Sequence, residues 1–322
     1  MVVEIIYLVI GLAGLYYGAE FLVKGGSVLA VRFGISPLVV GLTVVAFATS
    51  SPEVFASVKA AIRGSSDLAL GNVVGSNLCN IGLILGAAAL LKPIQVQAQL
   101  IKQEVPILLV SSLIFMGMLL DDRISRLDAL FLFLGILAYV TYSIYQAKKG
   151  SSETLKESFT AQYEKQKKLK GSLLRDLFFI TSGLIILSIG AKLLVDGATS
   201  FANAMGVSEA LIGLTIVAIG TSLPELATTI IAAKNNEGDL AVGNAIGSCI
   251  FNNLAVLGIT GLVIPLDRGN LAWMDMFAML GFILVCFPLM LTGYLLKRWE
   301  GALYLVLYFG YFSYTTYTQV NS

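Results

Sequence analysis

The chain contains no histidine. That absence removes Ser-His-Asp and Cys-His catalysis, the H-E-x-x-H zinc site and histidine-ligated haem together. Charge is scarce as well. Asp, Glu, Lys and Arg make up 13% of the 322 residues, where a soluble domain carries about a quarter, so there is too little polar material to cover a water-facing surface. The 21 Lys and Arg nearly cancel the 20 Asp and Glu, leaving +1. Such a balance speaks against a polyanion-binding protein, and no nucleic-acid partner is expected. Three cysteines, Cys79, Cys249 and Cys286, stand singly inside apolar runs, so neither a disulfide framework nor a C-x-x-C metal site is available. No nucleophile has a base beside it and no cofactor motif occurs, which argues against an enzyme and against any bound cofactor.

What is abundant is apolar. Hydrophobic residues make up 57% and the mean hydropathy is +0.85, the signature of an all-α polytopic membrane protein. A span takes roughly 20 apolar residues to cross a core ~30 Å thick. Ten such stretches follow one another at about 5–23, 37–60, 69–91, 104–120, 127–146, 174–195, 210–233, 241–264, 271–292 and 300–318. The opening Met1-Val2-Val3-Glu4 lacks the basic region of a signal peptide, so the first run is expected to be retained as a span. Most connections are short. The exception, 148–172, is polar and lysine-rich; eight Lys and Arg fall between Lys148 and Arg175, which places it in the cytoplasm by the positive-inside rule. Five spans precede it, so both termini are expected outside. Lys92, Lys102, Lys234, Lys297 and Arg298 then also lie inside, against Arg63, Arg123, Arg126 and Arg268 outside. The expected setting is a multi-pass protein of the cell membrane, with the lipid bilayer as its surroundings and no obligatory protein partner evident.

The second half repeats the first. GLTVVAFATSSPEVFASVKAA at 41–61 aligns with GLTIVAIGTSLPELATTIIAA at 213–233, and GNVVGSNLCN at 71–80 with GNAIGSCIFN at 243–252. The offset is 172 without a gap, and 32 of the 76 positions from Gly11 to Gly86 are identical. Shared membrane composition cannot hold Thr, Ser, Pro and Glu in one constant register. The chain divides into a five-helix repeat at 1–147 (motif 41–86), the basic linker at 148–172, and a second five-helix repeat at 173–322 (motif 213–258). An odd number of spans per copy forces the copies into opposite orientations. Inverted repeats bring equivalent residues together near the midplane, the plan of many secondary transporters; a cation channel is less expected but not removed.

Several residues do not belong in hydrocarbon. A carboxylate at the centre of a span costs about 2.5–3.5 kcal/mol on the most lenient scale, yet Glu53 and Glu225 occupy the middle of the second and seventh spans and are repeat mates. Pro52 and Pro224, read as lying inside helices, each remove an N–H. The carbonyls near Ala46 to Ala48 and Ala218 to Gly220 are therefore expected to lack full helical bonding, a state tolerated only where backbone lines a cavity or binds an ion. Thr49 and Thr221 lie four residues before the two glutamates, on the same helical face, and Ser50 and Ser222 add hydroxyls. On the third span Asn72, Ser76 and Asn80 recur every four residues, as Asn244, Ser248 and Asn252 do on the eighth. Gly71, Gly75, Gly243 and Gly247 read as close-packing positions, and Asn72 and Asn244 suit interhelical bonding. Ser76, Asn80, Ser248 and Asn252 are favoured as ligands. Every candidate donor is a hard oxygen, suited to Ca²⁺, Na⁺ or Mg²⁺ rather than zinc or copper, with Mg²⁺ disfavoured by its reluctance to shed water. Glu20 with Lys24, and Lys192 with Asp196, are spaced as i,i+4 ion pairs near helix ends.

These paired motifs resemble the two α-repeats of the sodium/calcium exchanger family, within the cation/calcium exchanger superfamily, and the resemblance spans nearly the whole chain. It implies antiport of Na⁺ against Ca²⁺ at one site by alternating access, with spans 1 and 6 sliding across the core as the gate. It places the central glutamates on Glu53 and Glu225. The other ligands fall on the Ala46 and Ala218 carbonyls, on Thr49, Ser50, Thr221 and Ser222, and on Ser76, Asn80, Ser248 and Asn252. Ca²⁺ and Na⁺ are then transported ions rather than cofactors. Asn252 stands where the potassium-dependent branch carries Asp, which argues against potassium co-transport. Ala48 and Ser51 replace the usual Gly and Leu of G-T-S-L-P-E, so the halves need not contribute equally. Gly75 stands where the proton/calcium branch carries the Glu of G-N-x-x-E, which favours sodium over protons; a proton/calcium exchanger is the alternative. The short linker leaves no room for the calcium-sensing domains of animal exchangers.

Overall fold

The computed structural model describes residues 2–149, 172–205, 218–291 and 293–321, and these are almost entirely helical. A helix satisfies every backbone N–H and C=O within one segment, as hydrocarbon demands. In chain order the elements are α1 Val2–Phe33, α2 Pro37–Thr49, α3 Ser51–Ile62, α4 Ser66–Leu91, β1 Ile94–Gln95, α5 Leu100–Asp121, β2 Arg123–Ile124 and α6 Arg126–Lys149. The second half holds α7 Leu173–Ala204, α8 Leu223–Lys234 preceded by a single turn at Ala218–Gly220, α9 Gly238–Val263, β3 Leu266–Asp267, α10 Trp273–Leu291, β4 Leu295–Leu296 and α11 Arg298–Asn321. Among the described residues seven helices are long and apolar enough to cross a bilayer, and the pair α2–α3, bent by 41°, makes an eighth. The span expected at 210–233 is described only from Ala218 onward, and of the linker expected at 148–172, residues 150–171 lie outside the described residues. Helices α1 and α7 run well past their expected ends at 23 and 195, because polar residues lower the hydropathy there without interrupting the backbone ladder.

Helices α4 and α9 form the centre. In their most apolar windows 78% and 83% of residues are buried, against 28–39% for the other five long apolar helices among the described residues. The remaining spans show one face to lipid. Four π-helical segments, at Gly41–Val45, Cys79–Leu85, Leu100–Glu104 and Asn252–Val256, widen these helices locally. Such segments often mark functional positions.

Contacts between the halves recur with the halves exchanged. Helices α1 and α7 cross antiparallel on glycines. A Cβ at Gly11 would lie 2.7 Å from Leu194 N, and one at its mate Gly183 would lie 2.7 Å from Leu22 N. Gly18 and Gly190 make a second such pair, against Leu187 N and Leu15 N. The two-residue strands follow the same rule: Ile94 pairs with Leu296 and Gln95 with Leu295, while Ile124 pairs with Leu266 and Arg123 with Asp267. Adding or subtracting 172 turns one ladder into the other. Four of the left-handed residues also form mate pairs, Gly64 with Asn236 and Asp122 with Tyr294.

Arg32 at the end of α1 reaches the buried Asp176 carboxylate at the start of α7, Nε to Oδ2 2.5 Å. The two i,i+4 pairs expected on these helices do not form. Lys24 Nζ lies 5.0 Å from the centre of the Phe179 ring instead, since the neighbouring helix offers an aromatic face where Glu20 does not reach. Three buried carboxylates escape the sequence reading, Asp176, Glu300 and Glu104; the last accepts Tyr139 Oη at 2.9 Å and Gln99 Nε2 at 3.5 Å.

The glycine crossing generates a prediction. Gly183→Val forces β-carbons onto the α1 backbone and is expected to destabilise by about 1–3 kcal/mol, lowering the thermal melt in detergent. Gly117→Ala, where a Cβ meets nothing within 4 Å, is expected to be neutral or slightly stabilising.

Candidate ion-binding site

The site grows from two helix breaks. At Ser50 (φ −83°, ψ 3°) and at Ser222 (φ −89°, ψ 6°) the helical path stops and restarts. The prolines expected inside helices prove to be residues of a new first turn, where a missing N–H costs nothing. Glu53 and Glu225 occupy that same turn of α3 and α8. Each carboxylate thus sits at the positive end of a helix dipole, which is how a group with 1% exposure stays compatible with an apolar bundle.

The expectation of unbonded carbonyls before the breaks is corrected at three places. Ala46 O accepts the Ser50 N–H at 2.9 Å and Thr49 Oγ1 at 3.4 Å, and Phe47 O accepts Ser51 Oγ at 2.8 Å. In the second half Ser222 N–H goes to Ile219 O at 3.1 Å, so the turn tightens instead of leaving that carbonyl bare. Hydroxyls and shortened turns repair what proline removes. Ala218 is described as the first residue of the turn leading into this break.

Each half then reaches into the other. Ser50 Oγ donates to Glu225 Oε1 at 3.1 Å, and Ser222 Oγ to Glu53 Oε1 at 3.5 Å. Thr49 Oγ1 donates to Asn244 Oδ1 at 3.1 Å, and Thr221 Oγ1 to Asn72 Oδ1 at 3.3 Å. Asn72 Nδ2 holds Ser57 Oγ (3.0 Å) and the Glu53 carbonyl (3.4 Å), while Asn244 Nδ2 holds Thr229 Oγ1 (3.0 Å) and the Glu225 carbonyl (3.4 Å). Asn72 and Asn244 are clamps between helices, as their spacing suggested. Ser248 lies 3.4 Å from Thr49, and Ser76 3.3 Å from Ser222. Here the halves differ: a threonine meets the serine in one and a serine in the other.

Four buried oxygens in this cluster, Glu53 Oε2, Glu225 Oε2, Asn80 Oδ1 and Asn252 Oδ1, have no hydrogen-bond partner among the described residues. Asn80 and Asn252 both sit in π-helical segments. Buried polar atoms of this kind are rare without a reason. Hard oxygens on two carboxylates and two amides, ringed by hydroxyls, fit a Na⁺ or Ca²⁺ ion. No group of three or more His, Cys, Asp or Glu is found among the described residues, so the centre is a two-carboxylate one. Two fully buried amides, Asn77 and Asn253, lie next to it and are missed by a reading based on repeat mates, because their own mates are Cys249 and Ile81.

The close-packing glycines also divide. Gly243 and Gly247 let α2 approach, with a Cβ there falling 2.7 Å from Leu38 O and 2.8 Å from the Leu42 backbone. Gly71 and Gly75 instead line a cavity of about 580 Å³, which runs from Asn72, Ser76 and Thr221 to Asp67, Asn270 and Asp275.

These features define a helical multi-pass membrane protein with a hard-oxygen centre at its core. The profile of the sodium/calcium exchanger protein family matches residues 3–145 and 176–317. The inner membrane protein YrbG of Escherichia coli is 38% identical over 88% of this chain and 87% of its own. The sodium/calcium exchanger MaX1 of Methanosarcina acetivorans is 33% identical over 95% and 96%. A solved structure of the sodium-calcium exchanger NCX_Mj superposes with a TM-score of 0.81 at 33% identity, covering 96% of this chain and 97% of that one. The chain belongs to the sodium/calcium exchanger family, a family of membrane exchangers.

The clamps give the site's own prediction. Thr229→Val is nearly isosteric but leaves Asn244 Nδ2 without its nearest acceptor, which is expected to cost about 1–3 kcal/mol. The melt should fall while the number of Ca²⁺ ions bound at saturation stays the same.

Proposed function

We propose that this chain is a secondary antiporter that exchanges Na⁺ for Ca²⁺ across the cell membrane by alternating access to the central site. The observation that carries the reading is the pair of fully buried carboxylates, each with one oxygen unpartnered, set among hydroxyl and amide oxygens. Glu53 and Glu225 supply −2, which one Ca²⁺ neutralises. Thr49, Ser50, Thr221, Ser222, Ser76, Ser248, Asn80 and Asn252 supply neutral oxygens, and the carbonyls of Ala46 and Ala218 close the set. At Ala46 the 3.4 Å contact from Thr49 is the weaker of its two bonds and the one that yields to an ion. Two like charges in a low dielectric repel one another, so the site is held charged only with cations present, and Na⁺ and Ca²⁺ compete for the same oxygens.

The architecture proposed is ten spans in two inverted five-helix repeats. Helix α8 with the turn at Ala218–Gly220, and α11, complete the count, and both termini lie outside with the linker in the cytoplasm. The reciprocal strand ladders and the antiparallel α1–α7 crossing support that inversion. With this orientation the cavity beside Asn72 and Thr221 opens outward, past Asp67 and Asp275. Helices α1 and α7, which contribute none of the ligands, are the elements that slide.

The test is ⁴⁵Ca²⁺ uptake into proteoliposomes loaded with Na⁺, beside K⁺-loaded vesicles and an outward-directed proton gradient. Uptake is expected only with internal Na⁺, and Glu53→Gln and Glu225→Gln are each expected to lower it at least a hundredfold. Uptake driven by protons alone would assign the chain to the proton/calcium branch. Flux that needs no counter-ion would make it a channel.

A further inference from the structure

The ligand amides Asn80 and Asn252 are repeat mates, yet their surroundings differ. Asn80 has neither Oδ1 nor Nδ2 hydrogen-bonded among the described residues. Asn252 has only Oδ1 uncommitted, because its Nδ2 donates to Asn77 Oδ1 at 3.1 Å. Asn77 Nδ2 donates in turn to Asn253 Oδ1 at 2.7 Å and to Met279 Sδ at 3.4 Å. Asn253 Nδ2 donates to Ser112 Oγ at 2.8 Å and Ser111 Oγ at 3.1 Å. Both serine hydroxyls donate to one helix carbonyl, Leu108 O, at 2.9 Å each.

Two acceptors that cannot donate, Leu108 O and Met279 Sδ, set the direction of this chain. A carbonyl oxygen accepts and never donates, so Leu108 O takes the hydroxyl protons and leaves the two serine oxygens as acceptors. They require the NH₂ end of Asn253. Its oxygen must then face Asn77 and take an N–H from it. The oxygen of Asn77 must in turn face Asn252. A reversed amide anywhere along the line would set two donors or two acceptors against each other in a fully buried place, and each such mismatch carries the desolvation penalty of an unpaired group. The polarity set at Leu108 is therefore delivered, three amides later, to Asn252.

We propose that Asn77 and Asn253 are positioning residues that hold the Asn252 amide with its oxygen, and not its nitrogen, turned to the transported cation. The proposal rests on the reading of Asn252 as a ligand. The first half has no such chain of amides among the described residues: the mates of Asn77, Asn253, Ser111 and Ser112 are Cys249, Ile81, Ile283 and Leu284, of which only the Cys249 thiol can hydrogen-bond, weakly, and it donates to the Asn77 carbonyl at 3.8 Å. An amide needs this help because its two ends differ. A carboxylate at the same place would not, since either oxygen binds a cation. The relay thus makes a neutral ligand behave as a dedicated oxygen donor in one half of the site, while Asn80 in the other half has no amide relay behind it.

Equilibrium ⁴⁵Ca²⁺ binding to the full-length protein in detergent, in Na⁺-free buffer, tests this, with thermal melts run on every variant. Asn77→Leu is expected to weaken Ca²⁺ binding about tenfold, as the loss of a group that orients a ligand does, and Asn252→Leu to do at least as much. In an Asn252→Asp background, where Asn77 Oδ1 would face a carboxylate oxygen, the same Asn77→Leu change is expected to cause no loss of affinity. An equal loss in both backgrounds would show that Asn77 acts through packing and overturn the proposal, as would no loss in either. Should Asn77→Leu not fold, Ser111→Ala with Ser112→Ala removes the acceptors that set the direction and carries the same comparison between backgrounds. If Asn252→Leu leaves affinity unchanged while Glu53→Gln abolishes binding, the positioning role falls and the site stands. If Glu53→Gln also binds normally, the site itself is misplaced and both readings fall.

Discussion

Two carboxylates buried side by side in an apolar bundle are the constraint on which the rest of this structure depends. A charge in such a place is tolerated only when fixed dipoles and counter-charges replace the water it has lost. The chain meets that demand by breaking its own helices. Each glutamate is placed in the first turn after a break, where unsatisfied N–H groups and the helix dipole favour an anion. A hydroxyl from the opposite half donates to each carboxylate. Under the proposed function the remaining attraction comes from the transported cations, so the geometry that makes the site costly when empty is the geometry that favours binding.

The breaks in turn require a scaffold that does not give. The clamp amides Asn72 and Asn244 tie the start of each restarted helix to the facing central helix. Helices α4 and α9 are so deeply buried that their surroundings fix their position. The glycine crossing of α1 with α7 is of another kind: at Gly11, Gly14, Gly18, Gly183 and Gly190 backbone meets backbone directly. A smooth contact of that sort resists separation but offers little resistance to sliding, whereas a side-chain jigsaw would resist both.

The duplicated architecture does not make the site symmetric. The offset of 172 holds for strands, left-handed turns and glycine contacts, which are backbone features and tolerate side-chain change. It fails for the polar relay, where each link needs a particular donor or acceptor. Once Cys249 faces Asn77 across the repeat, a hydrogen-bonded chain can be built on one side only. Specialisation of the halves has therefore proceeded through the buried amides, while the fold kept its two-fold plan.

The sequence by itself determined the class of fold and the centre of the site. Apolar runs of span length admit only helices in lipid, a gap-free offset identifies duplication, and Glu53 and Glu225 stand out because hydrocarbon makes a carboxylate expensive wherever it is found. Asn77 and Asn253 are polar groups in apolar runs too, but their mates, Cys249 and Ile81, are not, so the repeat does not mark them. The tertiary structure alone decided which hydroxyl meets which carboxylate, that Pro52 and Pro224 open new helices and do not merely kink old ones, and which way each amide faces. The reason is range. Helix formation and hydrophobic cost are local and can be read residue by residue, but a hydrogen bond between Ser50 and Glu225, or a proton direction passed from Leu108 to Asn252, exists only once chain segments more than a hundred residues apart have packed together.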